Sequence, residues 1–256
     1  MYNEKMLTNF YEDLTSSEIK RINKKTVLIF PFSSIEQHGS HLPVNTDKKI
    51  LEGILNEFNN KNHSKKYIIM PHIYIGSASE HKAYDGTISL DSIDFINYSI
   101  KIIEQFCKKK FKNIFLLNSH GGQISHMDII GKELKAKYKI TLVRGTYFLF
   151  DEFKGIISKN EREFGYHGGE FETSLMLYLY PKLVKLNKFK TFKYSSDFKS
   201  KKIISLEKNI KKSWLTEEVS KSGIIGNPLK SNEEKGKKIV EIVLSCMNKI
   251  INEMYN

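Results

Sequence analysis

The chain has 256 residues, of which 40% are hydrophobic, 27% charged and 12% aromatic, so it can bury one large core as a single domain over residues 1–256; disordered and fibrous architectures are excluded. No run of about 18 apolar residues occurs, and the N-terminal string MYNEKMLTNFYEDL has acids where a signal peptide needs a basic start, so a cytoplasmic protein with no membrane partner is expected. The net charge of +12 invites a nucleic-acid reading, but it is concentrated in residues 182–212, where eleven Lys face only Asp197 and Glu207. Phe189, Phe192, Tyr194 and Phe198 interleave with those lysines without any recognised nucleic-acid signature, which favours a solvated face or a subunit contact. Cys107 and Cys246 lack metal-type spacing and read as buried free thiols.

In chain order, the run TVLIF (26–30) ends at Pro31, YIIM (67–70) ends at Pro71, NIFLL (113–117) ends at a polar turn, and a fourth short run covers 140–143. Each has the length of a buried strand bounded by breakers. Residues 48–59, 91–109 and 124–138 carry apolar side chains at helical spacing. Strands separated by helices predict an α/β fold, three layers α/β/α around a mostly parallel central sheet, with ligands gathered at the carboxyl ends of the strands. Ser231 followed by Glu234 reads as a capping box opening a last helix over 231–254, with Ile239, Val243, Cys246, Met247, Ile250 and Met254 on one stripe.

The chemistry concentrates where those strands end. PFSSIEQHGSHLPVNTD follows the first strand with Glu36, His38 and Asp47; NSHGGQ follows the third with His120; YHGGEFETS comes later with His167, Glu170 and Glu172. Carboxylates and imidazoles without thiolates suit Zn, Mn or Fe, Glu36 and His38 at i, i+2 can serve one site, and an aspartate can bridge two cations. Gly121, Gly122, Gly168 and Gly169 follow the two histidines and permit close backbone approach to a substrate.

At these residues the sequence resembles the creatininase (creatinine amidohydrolase) family, whose members look like S-x-E-Q-H-G-x-H-L-P-x-x-T-D, N-x-H-G-G-N and H-x-G-E-x-E-T-S in this order. GSASEHKAYDGTISL (76–90) and GIIGNPLKSNEEKG (223–236) are similar to two further family segments. The resemblance implies a three-layer fold, two divalent metal ions (Zn, Mn or Fe), hydrolysis of a small amide, and a homo-oligomer, often a hexamer. It assigns Glu36 and His120 to one metal, His38 to the other and Asp47 to both. Creatinine-hydrolysing members resemble N-G-H-Y-E-N, with an acidic ligand where this chain has Gly122. Glu170 is expected to replace it, with Glu172 orienting a ligand histidine, or else the two glutamates exchange these roles. His167 is expected to protonate the departing nitrogen, and Ser77, Glu80, His81 and Gly121 to line the substrate pocket. The sequence therefore predicts a metal-dependent amidohydrolase acting on a small-molecule amide other than creatinine. The alternatives are a creatininase-like peptidase trimming a ribosomally made peptide and a formamide hydrolase of a pyrimidine pathway; metal or nucleic-acid binding without catalysis is disfavoured.

Overall fold

Each short apolar run forms a strand, and three of the four are buried along their whole length, which is why they read as continuous rather than alternating hydrophobic stretches. The computed structural model describes residues 8–62, 64–189, 204, 206 and 210–256. In it β1 (Val27–Phe32), β2 (Tyr67–Ile69), β3 (Asn113–Asn118) and β4 (Thr141–Thr146) form one sheet, all pairs parallel, in the order β2-β1-β3-β4. β4 is an edge strand and is partly exposed.

Among the described residues the helices are α1 (Ser16–Lys20), α2 (Thr46–Lys61), α3 (Ser92–Lys108), α4 (Ile124–Tyr138), α5 (Lys159–Phe164), α6 (Glu170–Leu179), α7 (Thr216–Val219) and α8 (Glu233–Tyr255). Alternation along β1 divides the core. Val27 and Ile29 pack with Ile50, Leu51 and Ile54 of α2, Leu175 of α6, and Val243 and Met247 of α8. Leu28, Phe30 and Phe32 pack on the other face with Phe95 and Ile103 of α3 and Ile130 and Leu134 of α4. These are the three expected layers, α/β/α.

Two boundaries differ from expectation. β1 does not end at Pro31 but passes through it to Phe32, with Pro31 opposite Leu117; the proline has no N–H to give, yet its carbonyl still accepts from Ile73 N at 3.0 Å. The cap of α8 is Asn232, whose side chain accepts from Lys235 N at 2.9 Å, while the Ser231 hydroxyl is spent on Pro228 O at 2.5 Å. On α8 the predicted stripe is buried at Ile239, Val243, Met247 and Met254, whereas Cys246 and Ile250 are only partly covered. Cys107 is a buried free thiol. Of the basic stretch, residues 190–203, 205 and 207–209 lie outside the described residues; Lys182, Lys185 and Lys188 are exposed. No helix among the described residues is long and apolar enough to cross a membrane.

β1 connects to its left neighbour β2, and β3 lies on its other side. The connections therefore part above the carboxyl ends of β1 and β3, and an open parallel sheet leaves a crevice at that point.

Candidate metal centre

Four elements deliver side chains into that crevice. The chain leaving β1 brings Glu36 and His38, the first turn of α2 brings Asp47, the chain leaving β3 brings His120, and the segment entering α6 brings His167 and Glu172. A fifth contribution, His81, comes from a 3-10 turn, Ser79–His81. Glu36, His38, His81, Asp47, His120 and His167 are all buried.

Asp47 is the hinge of the arrangement. Its Oδ1 lies 3.4 Å from His38 Nε2 and its Oδ2 lies 3.5 Å from His120 Nδ1, so the two carboxylate oxygens address different imidazoles. Ser34 Oγ donates to Oδ2 at 2.5 Å, and Ser119 Oγ to the Asp47 carbonyl at 3.2 Å. His120 Nδ1 is also 3.0 Å from Glu36 Oε2, and Asn118 clamps the His120 backbone through both its N–H and its carbonyl. His38 donates from Nδ1 to Glu36 O at 3.1 Å, which turns Nε2 toward Asp47 and toward Glu172 Oε1 at 3.7 Å. His167 gives Nε2–H to Gln37 O at 2.5 Å and presents Nδ1 to Glu36 Oε1 at 3.6 Å. Glu172 is fixed by Gly168 N at 2.6 Å.

The donor atoms fall into overlapping groups whose members lie within 4.8 Å of one another: Glu36, Asp47 and His120; His38, His167 and Glu172; and Glu36, His81 and His167. Within them Glu36 Oε2, His38 Nε2 and His120 Nε2 are buried and make no hydrogen bond among the described residues. Buried polar atoms are rarely left in that state, and here they converge among carboxylates. Such a set fits divalent cations: hard oxygens with borderline imidazoles, one aspartate able to bridge, and ring nitrogens oriented by backbone carbonyls from behind.

The charges are strongly coupled. Burial pushes the Glu36 carboxyl up to about 7, against the pull of His120. Burial acts to lower His38 and His120, but the carboxylates of Glu172 and Asp47 around the first, and of Glu36 and Glu80 around the second, hold both well above the usual imidazole range. Asp47 goes the other way, its burial outweighed by the two imidazoles that hold it below the normal carboxylate range. Burial, together with cationic His38, lowers His167 to about 4. His81 is likewise lowered, first by burial and then by neighbouring imidazoles.

The crevice brings together Glu36, His38, Asp47, His120, His167 and Glu172 as expected, but not Glu170. That carboxylate is fully buried on the far side of the α6 entry, where it accepts from Ser158 Oγ at 2.6 Å and pairs with Lys235 Nζ at 2.6 Å. The reason is helical: residues 170 and 172 project about 200° apart around α6, so only one can face the histidines. Of the expected pocket residues, Glu80 reaches the cluster, with Oε1 3.2 Å from His120 Nε2. His81 is drawn inside it, its Nδ1 held by the Gln37 amide at 3.0 Å and the Thr216 hydroxyl at 2.9 Å. Ser77 is buried, and Gly121 is exposed with Phe148 the nearest side chain that a Cβ there would meet. Sequence reasoning missed Gln37, which sits inside the E-Q-H string and braces His167 with its carbonyl while its amide also donates to Gly223 O at 2.9 Å. Thr216 carried no motif signal at all.

The carboxylates and imidazoles gathered at the switch point of the parallel sheet form a candidate site for divalent metal ions. The sequence matches the Creatininase (creatinine amidohydrolase) family over residues 12–251, and the chain belongs to that family, with its hydrolysis of carbon–nitrogen bonds. It is 28% identical over 180 residues, 63% of this chain and 67% of the other, to a creatinine amidohydrolase of Pseudomonas putida. It is 22% identical over 230 residues, 87% of this chain and 84% of the other, to a mycofactocin precursor peptide peptidase of Mycobacterium ulcerans. A creatininase variant of Zn-Zn type superposes with a TM-score of 0.76 at 22% identity, covering 98% of this chain and 99% of the other, which establishes the shared fold.

Proposed function

We propose that this protein is a metal-dependent amidohydrolase that cleaves a C–N bond of a small or terminal amide at a binuclear centre. The observation that carries the reading is the convergence of Glu36 Oε2 and His38 Nε2, buried and without hydrogen bonds among the described residues, about an aspartate whose two oxygens face different imidazoles. Glu36, Asp47 and His120 form one seat, and His38, Asp47 and Glu172 the other; of the two glutamates whose roles the sequence left exchangeable, Glu172 is the ligand. When bound, a pair of divalent cations (Zn, Mn or Fe) lowers the pKa of water and polarises the scissile carbonyl. His167 directs Nδ1 at the cluster while Gln37 O fixes the ring, which suits it to receive the proton of the attacking water and pass it to the departing nitrogen. Seryl donors on Asp47 and backbone partners on His38 and His167 hold these groups in place before substrate arrives.

Creatinine is not the expected substrate, since Gly122 lacks the acidic side chain of creatinine-hydrolysing members. A second reading, trimming of a peptide, draws support from the mycofactocin precursor peptide peptidase, similar to this chain over 87% of its length. Elemental analysis and an assay panel of lactams, formamides and short peptides test the proposal together. Wild-type protein should carry two divalent ions and hydrolyse at least one class of amide, and Asp47→Ala should lose both ions. Two tightly bound ions in Asp47→Ala, or efficient creatinine turnover by the wild type, would overturn the corresponding part.

A further inference from the structure

A side chain at position 122 would meet two others, those of Glu80 and His120. Gly122 lies in a 3-10 turn, Gly121–Gln123, and its backbone is outside the left-handed region, so its conformation alone would admit a side chain. A Cβ placed there would sit 1.9 Å from Glu80 Oε1 and 2.6 Å from His120 Nε2. The volume is already taken by a carboxylate reaching in from the Ser79–His81 turn, some forty residues earlier in the chain.

We infer that Glu80 occupies the seat of the side chain that position 122 lacks, and that from this seat it positions His120; the inference rests on reading the cluster as a metal centre. The geometry around His120 is two-sided. Its Nδ1 faces Glu36 Oε2 at 3.0 Å and Asp47 Oδ2 at 3.5 Å, the proposed ligands, whereas Nε2 faces Glu80 Oε1 at 3.2 Å. A carboxylate behind a ligand imidazole fixes the ring and raises its basicity, which is how outer partners strengthen metal sites. Glu80 is also largely enclosed, with 19% of its side chain exposed, so little water competes for the contact. The carboxylate at this point in the crevice is thus a property of the volume, and either position 80 or position 122 can supply it.

The test exchanges the two positions and reads zinc affinity by competition with a chromogenic chelator, with circular dichroism as the check on folding. Glu80→Ala should weaken zinc binding by about 10- to 100-fold, and Glu80→Gln, which keeps an acceptor, by less than about tenfold. Gly122→Glu alone should bind zinc as weakly as Glu80→Ala, because two carboxylates then contend for one volume. The double variant Glu80→Ala/Gly122→Glu should bind zinc at least about threefold tighter than Glu80→Ala, short of wild type because a Cβ at 122 still presses on the His120 ring. Zinc affinity of Glu80→Ala within about twofold of wild type, or a folded double variant no tighter than Glu80→Ala, would overturn the inference. A wild-type chain that binds neither zinc nor manganese would instead bring down the metal-centre reading, and this inference with it.

Discussion

His167 and Glu170 show how much of a residue's role is set by what stands behind it. His167 has one ring nitrogen committed to Gln37 O and the other turned into the cluster, so in the proposed mechanism its truncation removes the proton carrier while leaving Glu36, Asp47, His120, His38 and Glu172 in place. His167→Ala should retain its metal ions and lose roughly 10²- to 10⁴-fold in kcat. Loss of an ion on that substitution would make His167 a ligand. Glu170 is buried against Lys235 and Ser158, and its neutral isostere leaves Lys235 without a counter-charge. Glu170→Gln should therefore keep a full metal complement and pay in stability, by about 1–3 kcal/mol in denaturant titration. Full stability with a missing ion would restore the role that the sequence first suggested for it.

At the scale of elements, α6 is held to the site by a buried acid that belongs to neither seat. Glu161 of α5 accepts from Glu170 N at 2.6 Å and from Asn227 N at 3.0 Å, tying the start of α6 to the loop before α8. Gly169 and Gly226 are the points of closest approach; a Cβ on the first would lie 1.8 Å from Glu161 Oε1. Burial pushes the Glu161 carboxyl up to about 7, opposed by these backbone donors and reinforced by the neighbouring Glu170 charge that Lys235 balances. The folded state thus holds a proton that the unfolded state releases at about 4.5, and stability falls as pH rises from about 4.5 to about 7, then levels off. That window spans on the order of 3 kcal/mol for this one group. Subtracting the pH–stability curve of Glu161→Gln from that of the wild type should reveal a falling slope between those pH values; a flat difference would mean that Glu161 is ionised throughout. None of this was visible in the sequence, where Glu161 stands in an ordinary charged stretch, NEREF. Strands β1, β2 and β3 were legible because both faces of each are covered, so burial wrote itself as unbroken apolar runs, and His38 and His120 were legible as site candidates because they follow β1 and β3 closely. Glu170 against Glu172 was not, since their difference is angular and depends on where α6 begins. Nor was the link between Glu80 and Gly122, which joins two loops across the crevice.

For the molecule as a whole, the layers place a buried, carboxylate-rich cluster inside a chain of net charge +12. Metal should couple to the fold, since the proposed ligands come from the chain after β1, from α2, from the chain after β3 and from α6. Dialysis against a chelator should lower Tm, and zinc should raise it by mass action. An unchanged Tm would mean that the cluster holds no ion in the folded protein. Subunit number belongs to the same scale: Ile93, 73% exposed, and Tyr98, 45% exposed, stand on the outer surface of α3, where a homo-oligomer could cover them, and light scattering decides whether one forms. The long-range field bears on the substrate. Once cations offset the carboxylates of the crevice, the excess of basic groups elsewhere dominates, and a positive surface raises the local concentration of anions. At about 0.1 M salt such a field decays within about 10 Å, so surface steering is lost as ionic strength rises, whereas contact with an ion in the buried seat is screened far less. For anionic amides kcat/KM should therefore fall as salt is raised from about 0.01 to 0.5 M while kcat stays level, and for neutral amides of the same size neither should move. An identical salt response for the two classes would show that the net charge plays no part in capture and that selectivity resides wholly in the crevice.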